Sequence, residues 1–118
     1  FNDAMWEKYK IGEVSSVKSG EVPATKNPVA TGRAGRQSDD TRPQGNITWL
    51  TSHGHVVLGC DLATQAYATK LAGKTKSTMS VVYAELKANL APGVILQPNG
   101  VYATLRAQEA GCVFLHST

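Results

Sequence analysis

Cysteine is scarce in this sequence: Cys60 and Cys112 are the only two among 118 residues. So small a number excludes a disulfide framework, and their wide separation excludes a CxxC redox pair or a cysteine-rich zinc site. Long apolar runs are missing too, and none approaches the ~20 residues a membrane-spanning helix needs. No secretory leader and no initiator Met is present; the chain opens on Phe1 inside what reads as an element, as expected of a processed, truncated or partly supplied chain. Charge is thin and mixed. Charged residues make up 18%, the net charge is +3, and Lys and Arg are scattered rather than striped, which weighs against nucleic-acid binding. Neither glycine-rich phosphate-loop pattern occurs, no Ser/His/Asp arrangement or carboxylate pair stands out, and there is no internal repeat.

What is present fits one domain with a modest core, the hydrophobic fraction being 42%. Asp3 is a plausible N-cap for a short helix over 3–11, with Met5, Trp6 and Tyr9 on one face. Residues 18–45 carry several Pro and Gly and almost no large apolar side chain, so they read as a long loop. Arg33, Arg36, Arg42 and Lys26 give that loop a basic cast, partly offset by Asp39 and Asp40, and a solvated face is the plain reading of it. An arm for protein contact is the other.

From Asn46 the pattern becomes regular. NITWLTSHG reads as a short helix capped by Asn46, with Ile47 and Leu50 buried and Gly54 as a left-handed stop. HVVLGC reads as a buried strand, and Asp61 to Ala72 as a helix closed by Gly73. Ser77 is the expected cap of a further helix, in which Met79, Val82, Tyr83, Leu86 and Leu90 recur at helical spacing. Pro92-Gly93 ends it, VILQ is a second buried strand, Pro98-Asn99-Gly100 opens a helix through Ala110, Gly111 closes that helix, and CVFLH is a last strand. Continuous apolar strands alternating with helices predict an α/β fold, a parallel sheet covered by helices on both faces.

The stretch GVILQPNGVYATLRAQEAGCVFLH resembles the C-terminal part of DsrE/DsrF-like proteins, and ITWLTSHGHVVLGCDLAT resembles the helix, glycine and strand-with-cysteine unit that precedes it. FNDAMWEKYKIGE is similar to a secreted, twin-arginine-exported branch of that family. The resemblance covers residues 46–118 well and 1–13 tolerably, and does not extend to 18–45. It implies a three-layer α/β/α domain with a five-stranded parallel sheet, in a homo- or hetero-oligomer. The family's first strand, first helix and most of its second strand have no counterpart here, so residues or chains outside 1–118 would complete the sheet. It also implies that Cys60, at the end of the family's third strand, carries sulfane sulfur as a persulfide between a donor and an acceptor protein, with no cofactor. A periplasmic or secreted location follows from the same likeness, with the cytoplasm as the alternative.

Read from the residues alone, Cys60 is either a small buried hydrophobe or a reactive thiol. At the carboxyl end of a strand, the first amides of the next helix favour a sulfur anion. Asp61 opposes this, since a neighbouring carboxylate repels that anion and competes to cap the same amides. Asp61, Asn99 and Gly100 are candidate ligand-binding residues, because the turn after Cys60 and the turn at Pro98 to Gly100 are expected at one sheet edge, where amides can hold an anion. The plain alternative for Asn99 and Gly100 is a turn and cap. Cys112 is expected to pack at the opposite edge, too far from Cys60 for a disulfide. Tyr67 and Tyr102 are expected to pack rather than bind. His53 and His55 form an H-x-H pair, but with Cys60 a strand's length away they make no metal site. Asn46-Ile47-Thr48 fits a glycosylation sequon, a pattern that also arises by chance.

Overall fold

A computed structural model describes residues 1–30 and 46–114. The fold is mixed α/β: six helices, a two-stranded parallel sheet and a two-stranded antiparallel pair among the described residues. In chain order these are α1 (Asp3–Lys8), α2 (Ile11–Val14), β1 (Lys18–Ser19), β2 (Val22–Pro23), α3 (Ile47–Ser52), β3 (Val57–Cys60), α4 (Asp61–Thr75), α5 (Met79–Ala88), β4 (Val94–Gln97) and α6 (Gly100–Glu109).

The first helix is split. Its cap is Asn2, whose side chain accepts from the Met5 amide at 3.1 Å, while the Asp3 carboxylate accepts from the Asn27 amide at 2.9 Å; Asp3 is therefore a tether for the following loop and not the cap expected of it. Lys10 adopts a left-handed conformation (φ 49°), which ends α1 and turns the chain into α2. Met5, Trp6 and Tyr9 are buried together, as their spacing predicts. The loop after α2 is not featureless. Lys18 pairs with Pro23 and Ser19 with Val22, while Ala24, Asn27 and Ala30 are buried. Residues 31–45, which hold Arg33, Arg36, Asp39, Asp40 and Arg42, lie outside the described residues.

The core sits beside the parallel sheet rather than on it. Ala68, Leu71 and Ala72 of α4 pack with Val82 and Leu86 of α5, and Met5, Trp6, Tyr9, Ile11 and Ala24 complete the cluster. Val82 and Leu86 are fully buried, in agreement with the helical spacing of α5. Two helix ends differ from expectation. Gly73 does not stop α4, which runs two residues further to a left-handed Lys76 (φ 53°), with the Ser77 amide closing on the Ala72 carbonyl at 3.2 Å. The burial of Leu71 and Ala72 carries the helix across a residue that costs only ~1 kcal/mol in a helix interior. Thr78, not Ser77, occupies the N-cap of α5, without a side-chain capping bond.

Strands β3 and β4 pair in parallel, Val57 with Val94, Leu58 with Ile95, Gly59 with Leu96 and Cys60 with Gln97. The crossover between them is the α4–α5 helix pair, since parallel neighbours need a long connection. Neither strand is buried as its apolar run suggests. Leu58 is 43% exposed and Ile95 51%, so the face they share is only partly covered, and Val57, Gly59, Val94 and Leu96 are half-buried. Ile47 and Leu50 of α3 are likewise half-buried rather than buried. Asn46 does cap α3, accepting from the Trp49 amide at 2.7 Å, and Gly54 takes the left-handed turn (φ 80°).

The expected last strand does not form over Cys112–Phe114. The Gly111 and Cys112 amides turn back to the carbonyls of Gln108 and Ala107, both at 2.9 Å, and the chain leaves α6 with Val113 82% exposed. Two backbone donors spent on closing a helix are lost to a sheet ladder. Leu115 to Thr118 lie outside the described residues.

Candidate functional site

Cys60 is the last residue of β3 and the N-cap of α4. Its backbone is extended (φ −93°, ψ 115°), which aims the side chain at the first turn of the helix, and Sγ accepts the Ala63 amide at 3.4 Å. The Cys60 carbonyl in turn accepts from the Thr64 hydroxyl at 3.0 Å. The side chain is half-buried, so the sulfur sits at the rim of the fold and not inside its core. The sulfur thus lies at the N-terminus of a 15-residue helix, where the aligned peptide dipoles leave partial positive charge.

The competition expected from Asp61 does not occur. Its carboxylate is held by the Tyr83 hydroxyl, which donates to both oxygens at 2.7 and 2.8 Å, and by Gln65 Nε2 at 2.9 Å, while the Leu62 and Ala63 amides go to the Pro98 carbonyl and Cys60 Sγ. The Tyr83 hydrogen bond, then that of Gln65, holds the Asp61 carboxyl below the usual carboxylate range. So occupied, Asp61 is a link between α4 and α5 rather than an open ligand group. Tyr83 was visible in the sequence only as an apolar-face residue of α5. A tyrosine on an otherwise aliphatic stripe is the one signal that could have marked it, because a buried hydroxyl must find a partner.

Asn99 and Gly100 stand on the same sheet edge as Cys60. The register sets Gln97 opposite Cys60, and the Leu62 amide donates to the Pro98 carbonyl at 3.2 Å, stitching the two turns together. The Asn99 side chain accepts from the Tyr102 amide at 2.8 Å, so it caps α6, and Gly100 is the helix's first residue. Sequence placed both turns at one edge, and the structure joins them there.

Other groups are elsewhere. Cys112 is exposed, not packed, and lines an open apolar groove of about 320 Å³ with Leu58, Ala103, Thr104, Ala107 and Phe114. Both cysteines are free thiols. His53 and His55 stack with Trp49, at ring centroid distances of 4.1 and 6.1 Å, and no group of three or more metal-ligating side chains converges among the described residues. Tyr67 packs as expected, stacked with Phe1 and hydrogen-bonded to Ser15 at 2.6 Å, whereas Tyr102 is 45% exposed.

No protein-family model, curated protein or solved structure matches the chain. No helix among the described residues is long and apolar enough to cross a membrane. The geometry at Cys60 must therefore be read on its own chemistry.

Proposed function

We propose that this chain is a DsrE-like thiol carrier of sulfane sulfur, working at Cys60 in an oligomeric, exported three-layer α/β/α assembly. The observation that supports it best is the bond from the Ala63 amide to Cys60 Sγ at the mouth of α4, on a half-buried rim. In the reaction, the Cys60 thiolate attacks the outer sulfur of a donor persulfide, R–S–SH. The donor's S–S bond breaks, R–S⁻ departs, and Cys60 becomes Cys60–S–SH. An acceptor thiolate then attacks that outer sulfur, takes the S–H group and returns Cys60 as thiolate, so no net oxidation occurs. The first amides of α4 hold the anionic states, and Asn99 and Gly100 shape the adjoining edge.

A second reading, a non-catalytic exported binding or assembly subunit in which Cys60 merely fills space, draws on the partly exposed apolar face at Leu58 and Ile95. One experiment separates the two. Native protein, incubated with an inorganic polysulfide, is expected to gain about 32 Da on the Cys60 peptide, and Cys112→Ser protein to gain it equally. Native Cys60 is also expected to react with iodoacetamide at pH 7 faster than the urea-unfolded chain. Absence of both would remove the carrier reading and leave the subunit reading.

A further inference from the structure

A carboxylate one residue beyond a helix N-cap has an obvious use for itself. Aspartate oxygen is among the strongest acceptors of first-turn amides, and thiol sulfur is a weak one. In α4 the Leu62 amide is taken by the Pro98 carbonyl at 3.2 Å, which leaves the Ala63 amide as the donor that Cys60 Sγ uses. Were the Asp61 carboxylate free to turn toward that amide, it would displace the sulfur and set a negative charge beside it. The hydroxyl of Tyr83, reaching across from α5, occupies both carboxylate oxygens, and Gln65 reinforces one of them.

We infer that Tyr83 is a positioning residue for Cys60: by clamping Asp61 against α5, it reserves the Ala63 amide for the sulfur. This rests on the reading of Cys60 as a working thiol. The depressed Asp61 carboxyl, with the Tyr83 bond as first cause, agrees with a clamp that favours the charged form. The described titratable groups around this corner are Asp61 on α4 and Tyr83 and Lys87 on α5, the Lys87 ammonium lying 5.1 Å from the centre of the Tyr83 ring. The opposing strand β4 and the turn into α6 contribute the uncharged Gln97 and Asn99. Thus α5, which holds no part of the thiol's own turn, governs how exposed that thiol is to a neighbouring charge.

The test follows iodoacetamide alkylation of Cys60 across pH in Cys112→Ser protein, for Tyr83→Phe, Asp61→Ala and the double variant. Tyr83→Phe is expected to slow alkylation at pH 7 by roughly 3- to 10-fold and to move the pH profile upward, as a carboxylate beside a sulfur anion does. The double variant is expected to react like Asp61→Ala alone, because a clamp has no effect once its cargo is gone. A role for Tyr83 in stability only would lower the unfolding midpoint without shifting the profile. Wild-type kinetics in Tyr83→Phe, or a slow rate that Asp61→Ala does not restore, would overturn the inference. Should Tyr83→Phe fail to fold, Gln65→Leu with and without Asp61→Ala is judged on the same ratios, with a smaller slowing expected. These ratios between variants decide the clamp, whereas native against unfolded rates and the sulfur mass gain decide the carrier reading, so either can fail alone.

Discussion

Glu85 of α5 serves two donors at the end of α1, the ammonium of Lys8 and the hydroxyl of its C-cap, Tyr9. The Lys8 hydrogen bond, then that of Tyr9, holds its carboxyl below the usual range. A folded value lower than the unfolded one stabilises the fold above the unfolded value, about 4.3 for Glu, and that support disappears as pH falls through the folded value. Tyr9 moves the other way. Burial first, and then Glu85, push its hydroxyl from 10.0 up to about 12. That contribution is complete below pH 10 and disappears as pH rises toward about 12. Urea midpoints measured against pH are therefore expected to fall on both limbs. Glu85→Gln should flatten the acid limb, where Asp61 still contributes, and Tyr9→Phe should flatten the alkaline one. At this scale Cys60 and Cys112 show how far sequence reaches. The position of Cys60 at a strand end was legible because β-to-α handover follows the apolar pattern. The exposure of Cys112 was not, since it depends on how the amides after Gly111 are spent.

Among the elements, Gly12 of α2 meets the backbone of Ala24, the residue that follows β2, so closely that no side chain fits there. A Cβ on Gly12 would lie 2.1 Å from the Ala24 carbonyl oxygen and 2.6 Å from its nitrogen, both backbone atoms that cannot swing aside. Gly12→Ala is expected to cost at least the ~1–3 kcal/mol typical of overpacking, read as a lower urea midpoint. Leu86→Ala, which empties a fully buried site between α4 and α5, is expected to cost ~2–5 kcal/mol in the same assay. The two sites differ in what the sequence reveals. Leu86 and Val82 declare themselves by spacing, because one helix face must be apolar to be buried. Nothing near Gly12 predicts a backbone from residue 24 pressed against it, or the pairing of Lys18–Ser19 with Val22–Pro23 that leads up to it. Gly73 shows the converse error: α4 continues through it to Thr75, because a glycine within a helix costs only ~1 kcal/mol and need not end it.

For the molecule as a whole, burial and regular structure are unevenly shared. The cluster of α1, α2, α4 and α5 holds most of the fully buried side chains, while α6 buries none of its own. Amides of α4 and α5 around Leu71, Val82 and Leu86 are expected to exchange with deuterium slowest, by a pathway of near-global unfolding. Those of β4 and α6 are expected to exchange orders of magnitude faster, and equal protection in both halves would contradict this division. The apolar runs VVLG and VIL predict a covered sheet, yet Leu58 and Ile95 are only partly buried. Periodicity reports that residues are apolar, and only the tertiary neighbours decide whether anything covers them.

The sense in which β3 and β4 run has one more effect. Had the same strands lain in opposite senses, a two-residue hairpin would have joined them and Asn99 would stand at the far rim, about 13 Å off. Pairing in the same sense obliges the chain to travel out through two helices before it returns. That detour brings the opening turns of two helices, α4 and α6, to one margin of the sheet.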